Sequence, residues 1–434
     1  MFSNFAAISY SHALGSILSY WWVFLPVILA FTLFELWVWH IRQENLAGLE
    51  WSLLEIRAPE GSIRSPRVME QFFTGVHGAL RPLTWREKFF KGVMTAWFTF
   101  EIVGIGGDIR FFIRTPAGLK NLIEAQFFAQ YPDAEIEEVY DYFNDLPPRI
   151  PNDDYELWGA EFKLNNDDVF PIKTYLEFEE VGSGPDEAIR SDPLTAFFET
   201  LNKLRSGEYI TIQIIIQPTG PEVEDEWRKE GEAIINKIAG KEEKAPGPSV
   251  GAKLASGIDK TIDRIVGIEP QVFEEKKPDA GPTKVSAIDK ETADAIARSI
   301  SKLGFRSGIR FSYIAHKDVY SISHVASIMG SFRQFASQNL NSFRPTRITG
   351  SVGTLAPLFL FSGKGFGADK KTLIKKWNHY RATRERSLPF ERQYILNTEE
   401  LATLYHLPSA SDRGAILPSI GIRKGPSPGR LPTK

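Results

Sequence analysis

The hydrophobic positions of this chain are concentrated in one unbroken stretch near its start. Residues 20–41 are almost entirely apolar. As a helix they would be ~33 Å long, enough to cross a hydrocarbon core of ~30 Å. Tryptophans stand at both ends, as in the aromatic belts of membrane-spanning helices: Trp21, Trp22, Trp37 and Trp39. The pattern predicts one transmembrane helix over 20–41, preceded by a short extracytoplasmic N-terminus over 1–19.

The flanks of this run argue against a cleaved signal peptide and suggest an orientation. Residues 1–19 contain no Lys or Arg, and the run ends in Trp-His-Ile-Arg rather than in small residues. Basic residues begin only at Arg42, which predicts the N-terminus outside and the body in the cytoplasm. Glu35 lies inside the run. It is a possible intramembrane contact to another helix, or a carboxyl that is protonated or reaches the head groups.

Beyond residue 50 the hydrophobic pattern alternates between period two and the helical period. The pairs of alternating segments at 95–103 and 109–114 predict a hairpin that turns at Gly104-Ile105-Gly106-Gly107. Further strands are expected at 51–57, 135–140, 156–164, 172–178 and 208–217. Helices are expected from Ser65-Pro66, over 117–130 and from Asp192-Pro193. Residues 50–220 are therefore predicted to form an α+β domain, a ferredoxin-like α/β sandwich with a mainly antiparallel sheet.

The remaining sequence divides into three regions. Residues 221–287 read as a charged helix followed by a flexible linker rich in Pro and Gly. Residues 288–345 read as a helix–strand–helix unit that either completes the sheet or belongs to a second α+β domain. Residues 346–434 read as a basic, Gly/Pro-rich tail with short helices near 369–385 and 398–404.

The charge of the chain is uneven. The net charge is −3, but residues 364–434 contain fourteen Lys and Arg against six Asp and Glu, or +8, which leaves −11 for the rest. The basic side chains gather beside Trp377 and Tyr380: Lys370, Lys371, Lys375, Lys376, Arg381, Arg384 and Arg386. Such a segment can contact phosphates of nucleic acid, anionic lipid or a partner protein, or it can be a solvated helix face.

Candidate chemistry is sparse. The chain has no cysteine, which excludes disulfides and thiolate metal sites. Ser362-Gly363-Lys364 lacks the P-loop spacing, because Leu358 stands where its first Gly belongs. The seven histidines include no pair at i, i+4. We expect a non-enzymatic protein without a cofactor or a metal.

Several segments together resemble the membrane-anchored N-terminal region of bacterial type IV secretion and conjugative-transfer proteins. In that group a similar body is fused to, or encoded beside, a TraG/TraD-like coupling ATPase. The segments are Ser65–Phe73, Ile109–Pro116, Ala125–Ala134, Pro171–Tyr175, Asp192–Leu194, Ile212–Ile214 and the terminal Leu396–Pro408. The resemblance implies a motor-less, split version in the inner membrane whose ATPase is a separate partner.

The resemblance also implies the partners. They would be a Walker A ATPase, other secretion subunits and possible further copies of the chain, with the terminal motif as a docking element: Asn397, Glu399, Glu400, Leu401, Leu404 and His406. The function expected is a scaffold or adaptor that docks the ATPase on the cytoplasmic side. The alternative is a membrane-organising scaffold, unrelated to transport, whose basic tail binds lipid.

Overall fold

The computed structural model describes residues 21–57, 65–179, 192–240, 286–349, 368–388 and 393–408. The first elements are α1 (Trp21–Ala47), β1 (Trp51–Arg57), α2 (Arg67–His77), α3 (Trp85–Phe90), β2 (Phe98–Ile105), β3 (Asp108–Pro116), α4 (Lys120–Gln130) and β4 (Glu135–Glu138). The middle elements are β5 (Tyr155–Leu164), α5 (Tyr175–Glu179), α6 (Thr195–Asn202), β6 (Glu208–Pro218) and α7 (Pro221–Ile238). The last are α8 (Ala287–Ile300), β7 (Gly304–His316), α9 (Ile322–Phe332), β8 (Phe343–Thr346), α10 (Ala368–Glu385), β9 (Tyr394–Asn397) and α11 (Thr398–Leu404).

Two ferredoxin-like units share one sheet. Among the described residues the strand order is β4-β1-β3-β2-β6-β7-β5-β8, with β9 beside β7 and antiparallel pairing throughout. The first unit is β1-α2-β2-β3-α4-β4 and the second is β5-α6-β6-β7-α9-β8. Each has its fourth, first, third and second strands side by side, and the two units join where β2 pairs with β6. The α+β class and the mainly antiparallel sheet are thereby confirmed.

The β2–β3 hairpin shows how the local sequence sets the register. Ile105 pairs with Asp108 across a two-residue loop made of Gly106 and Gly107. Their φ angles are +57° and +100°, a conformation that glycine adopts without a steric penalty and that favours tight hairpins. The turn predicted at this position is confirmed.

Alternation along the strands divides the sheet into two different faces. On β2, Phe98, Phe100 and Ile102 point into the main apolar core, which α2, α4, α6, α9 and α11 cover. The intervening side chains point to the second face, where α10 lies against β5 and β7.

The structure differs from the sequence-based prediction at residues 172–178. These residues form a loop and the short helix α5 instead of a strand. The backbone N–H groups of Ile172 and Tyr175 donate to the side chains of Glu400 and Thr403, each at 2.9 Å. These two backbone N–H groups therefore bond to side chains distant in sequence, and they are not free to pair with a neighbouring strand.

The regions after residue 220 also pack more closely against the rest of the body than the sequence predicts. The unit at 288–345 completes the sheet, because β7 pairs with both β5 and β6. Helix α7 packs on α8 through Trp227, Ile296 and Ile300. Most of the linker that was expected to follow the charged helix, residues 241–285, lies outside the described residues. Within the region read as a tail, α10, β9 and α11 belong to the folded body.

Candidate functional site

Helix α1 presents an apolar surface. It is long and apolar enough to cross a membrane over Leu25–Ala47, and most of its side chains are exposed. Trp22, Trp37 and Trp39 are among the exposed ones; the side chain of Trp21 lies outside the described set. Glu35 is exposed as well, and its proposed intramembrane contact stays a prediction.

Helix α10 carries the basic segment and is fastened to the second face of the sheet by a buried ion pair. Glu101 of β2 accepts bonds from Arg386 Nε at 2.7 Å and Nη2 at 3.2 Å, from the Tyr142 hydroxyl at 3.0 Å and from Gln213 Nε2 at 2.8 Å. The same guanidinium donates to both carboxylate oxygens of Asp141, at 2.5 and 3.0 Å. Such saturation is what makes a buried ion pair tolerable.

The backbone at Arg386 is as unusual as its side chain. Its φ is +51°, in the left-handed region where a helix normally ends on glycine. Arg386 N–H donates to Thr383 O at 3.2 Å and Ser387 N–H donates to Ala382 O at 3.1 Å, which is the hydrogen-bond pattern of a Schellman cap. The left-handed conformation costs ~1–2 kcal/mol for a non-glycine residue, and the ion pair with Glu101 and Asp141 offsets it.

A second buried arginine links the sheet to the same end of α10. Arg310 of β7 donates to Glu161 Oε1 at 3.0 Å and to the backbone carbonyls of Ala382 at 2.8 Å and Ser387 at 3.1 Å. Gln213 lies between the two arginines and bonds to Glu101, to Thr383 O and to Arg310. A cation beside the last carbonyls of a helix is also favoured by the helix dipole.

The pKa values of this cluster indicate that its groups hold α10 against the sheet and do not transfer protons. Burial, with the nearby Arg310 charge, lowers the pKa of His379 to about 3. Its Nε2 lies 3.1 Å from Phe311 O and 2.9 Å from Ser312 Oγ. Burial alone would raise the pKa of Asp141, but its bonds to Arg386 hold that pKa below the usual value. A general base for neutral pH needs a pKa near 7, so His379 is a neutral structural group.

The outer side of α10 is basic with apolar positions among the charges. Four of the seven basic residues named from the sequence are exposed: Lys370, Lys371, Lys375 and Arg381. Exposed Ile374 and Trp377 lie among them. The other three are engaged: Lys376 pairs with Glu156 at 2.7 Å, Arg384 donates to Asn144 at 3.3 Å, and Arg386 forms the buried ion pair with Glu101. We call Lys370, Lys371, Ile374, Lys375, Trp377 and Arg381 the α10 outer face.

The N-terminal part of the α10 outer face lies away from helix α1. Helix α1 joins the sheet at Trp51, which pairs with Pro116 at one end of the strands. Glu156, the partner of Lys376, pairs with Ala315, and Ala315 pairs with Glu208 next to the β2–β3 hairpin at the opposite end. The lysines that precede Lys376 therefore start from the end of the sheet distal to α1.

The terminal motif is placed in the interior. Asn397 caps α11 by accepting from the N–H groups of Glu399 and Glu400 at 2.9 Å, and Glu400 closes a capping box. Leu401 and Leu404 belong to the main core, and His406 Nε2 lies 3.1 Å from Asp192. Burial raises the pKa of Glu400 to about 8. All six residues expected to dock a partner are buried within their own chain, so their observed role is to close the fold.

Glu399 also borders an open cleft of about 370 Å³ between α2, α5, α8 and α11. Lys302 Nζ lies 2.5 Å from carboxylate oxygens of both Glu70 and Glu399. The Tyr175 hydroxyl donates to Glu70 at 2.9 Å, and burial with this carboxylate raises the Tyr175 pKa. The acidic groups of the cleft are thus paired by the chain itself.

Sequence reasoning missed the strand residues of the polar layer, namely Glu101, Glu161, Gln213 and Arg310. They alternate with apolar residues, which is the pattern of a solvated sheet face. The described part of the chain contains no group of three or more His, Cys, Asp or Glu side chains placed to hold a metal ion.

Residues 42–414 match the model of a domain of unknown function, DUF8128. The chain belongs to the DUF8128 family. The matched span begins inside α1 and includes β1 to β9 of the described residues as well as α10 and α11, so the DUF8128 domain contains both ferredoxin-like units. No curated protein matches the sequence.

Proposed function

We propose that this DUF8128 protein is a non-enzymatic, membrane-anchored scaffold of a type IV secretion-like system that docks a separate ATPase. Helix α1 spans the inner membrane once, with the N-terminus outside and the body in the cytoplasm. The α10 outer face receives an acidic surface of the ATPase. The resemblance of the sequence to conjugative-transfer proteins supplies the kind of system, and the DUF8128 match leaves that open.

The observation that carries the proposal is the rigid mounting of the α10 outer face. Arg386 and Arg310 hold the C-terminal end of α10 against the sheet, while Tyr380 donates to Pro147 O at 2.7 Å and Lys376 pairs with Glu156 further up the helix. A charged helix whose outer side only contacts solvent does not need these contacts with the body. Trp377 and Arg381 are residue types that are enriched in protein interfaces, and the three lysines add positive charge that would steer an acidic partner.

The position of the α10 outer face also indicates whether its partner is a protein or the membrane. Its lysines begin at the end of the sheet distal to α1, whereas polybasic segments attract anionic lipid only within about a Debye length of the surface, ~8–10 Å. This geometry favours the ATPase over the alternative in which the basic segment binds lipid.

The test is affinity purification of the full chain from solubilised native membranes, followed by identification of the co-purifying ATPase. The test variant is K370E/K371E/K375E/R381E. The matched control K203E/K229E/K317E/R333E reverses four exposed charges elsewhere on the body. We expect wild type and control to recover an ATPase with a Walker A motif and the test variant to lose it at least tenfold. Equal recovery by the test variant, or no ATPase with wild type, contradicts the proposal.

A second experiment addresses the lipid alternative. Deleting residues 364–434 is unsuitable, because it would remove β9 and α11 from the core. Instead, a fluorophore that reports local polarity is attached to Lys375→Cys in the full chain in nanodiscs. We expect the same emission with and without anionic lipid, and a blue shift that requires anionic lipid would establish the alternative.

A further inference from the structure

Helix α3 is an exposed aromatic helix beside the anchor. It is six residues long, Trp85–Phe90, and none of its residues is buried. Thr84 and Glu87 close a capping box at its start. A helix this short is marginal in water without further contacts, so its surroundings decide what stabilises it.

The first of these contacts is α1. The rings of Phe89 and Phe34 stack at 5.9 Å between centroids. Val38 and Ile41 are 3% and 9% exposed, although their neighbours on α1 are open.

The chain also crosses α1 closely just after α3. Gly92 has a φ of +64°, and a Cβ there would lie 2.4 Å from Ile41 O. Phe34 is seven residues before Ile41, ~10 Å along the helix. Helix α3 therefore lies beside the apolar part of α1.

The free side of α3 combines aromatic rings with positive charge. Trp85 and Phe90 are 63% and 60% exposed, with their ring centroids 5.3 Å apart. Residues 81–91 contain Arg81, Arg86, Lys88 and Lys91 against Glu87 alone, or 4 − 1 = +3. Glu87 is paired with Arg81.

We propose that residues 81–92 form an interfacial element that lies in the body-side leaflet of an anionic membrane. Trp85 and Phe90 insert below the phosphates, and Arg86, Lys88 and Lys91 contact the phosphate groups. Aromatic rings and basic residues on one short segment have this preference at the membrane surface. The inference rests on the proposed membrane span of α1, because that span sets the depth at which α3 lies.

The test uses single-cysteine labelling, which is possible without other changes because the chain has no cysteine. Single cysteines are introduced by Trp85→Cys, Phe90→Cys, Leu33→Cys and Asp318→Cys in the full chain. Leu33 is an exposed residue of α1, and Asp318 is an exposed residue at the distal end of the sheet. Each variant is spin-labelled in nanodiscs of mixed neutral and anionic phospholipid. The readout is label accessibility to oxygen, which partitions into lipid, and to a water-soluble nickel chelate.

We expect labels at 33, 85 and 90 to favour oxygen and the label at 318 to favour the chelate. Charge reversal by R86E/K88E/K91E should shift the label at 90 towards the chelate and leave the label at 33 unchanged. The inference is overturned if the label at 33 favours oxygen while the labels at 85 and 90 favour the chelate, as the label at 318 does. In that case the membrane span of α1 still stands.

Two other outcomes also overturn the inference. If 85 and 90 are shielded from both reagents, a protein covers α3 instead of lipid. If all four labels favour the chelate, the anchor itself fails and the proposed function fails with it.

Discussion

Phe100 and Glu101 are neighbours on β2 and both are fully buried, but they point to opposite faces of the sheet. Phe100 contacts the rings of Phe72, Phe73 and Tyr405 at 5.0–5.9 Å. Glu101 is surrounded by donors from Arg386, Tyr142 and Gln213. One face is thus closed by non-directional apolar burial. On the other face an apolar cluster that includes Val103, Phe112 and Tyr142 borders a group of directional polar bonds around Glu101. The apolar core should tolerate conservative change, and the polar group around Glu101 should not.

The largest expected effect comes from removing Arg386. Arg386→Met keeps much of the volume but leaves Glu101 and Asp141 buried without their cation. We expect a loss of about 3–5 kcal/mol of unfolding free energy, measured by urea titration with tryptophan fluorescence in detergent. Arg381→Met, on the outer side of the same helix, should change it by less than about 0.5 kcal/mol. Similar losses for the two variants would contradict the role of the polar layer.

The second prediction compares the two faces directly. Glu101→Gln should cost about 3 kcal/mol, because a neutral amide cannot serve as the acceptor for four donor groups around it. Phe100→Leu should cost about 1–2 kcal/mol, because the apolar cluster can partly close the space. The same titration measures both, and a larger loss for Phe100→Leu would reverse the comparison.

The third prediction concerns the close approach of α10 to β5. A Cβ at Gly159 would lie 2.0 Å from His379 Nε2. Gly159→Ala should therefore destabilise by about 1–3 kcal/mol through overpacking. Adding His379→Ala removes the obstructing ring, so the double variant should lose less than the sum of the single variants. Strict additivity would show that this contact is not the cause.

The fourth prediction is a pH dependence. His379 has a folded pKa of about 3 against about 6.5 when unfolded, so the folded state favours neutral histidine. Its stability contribution is complete above pH ~6.5 and is lost as the pH falls towards 3. Between pH 7 and 5.5 we expect the contribution of His379 to the free energy of unfolding to fall by about 1 kcal/mol.

The comparison variant for this pH effect is His379→Gln. Glu400, whose pKa is raised to about 8, has the opposite slope, because its stabilising protonated form is lost as the pH rises from ~4.5 to 8. The difference between wild type and His379→Gln isolates the histidine. Parallel stability profiles for the two proteins would contradict the assignment.

The two faces also differ in how far the sequence predicts them. Alternation at Phe98, Phe100 and Ile102 is a local signal, and it predicted the hairpin, the α+β class and the antiparallel sheet. Glu101 and Arg386 are 285 positions apart, and neither carries a local sign of its partner. The sequence therefore offers a solvated face as one interpretation of the helix and gives no sign of the buried ion pair.

The same reason explains the terminal motif. The resemblance implies a docking role for Asn397, Glu399 and Glu400, and their polar side chains carry no local sign of burial. In the structure these side chains bond within the body: Asn397 and Glu400 form a capping box, Glu399 pairs with Lys302, and Glu400 also accepts from the N–H of Ile172. Of the residues nominated from the sequence, the four exposed basic residues of the α10 outer face and the apolar side chains of α1 remain available to partners.

The proposed docking geometry and the interfacial role of α3 both depend on α1 as the anchor. The most direct measurement is alkaline extraction of native membranes that contain the full chain, with L29R/L33R/L36R as the comparison. These three leucines are exposed on α1, so the body should stay folded when they change. We predict that wild type remains in the membrane pellet and that the variant is released as a folded protein. Release of wild type at alkaline pH would contradict the membrane anchor.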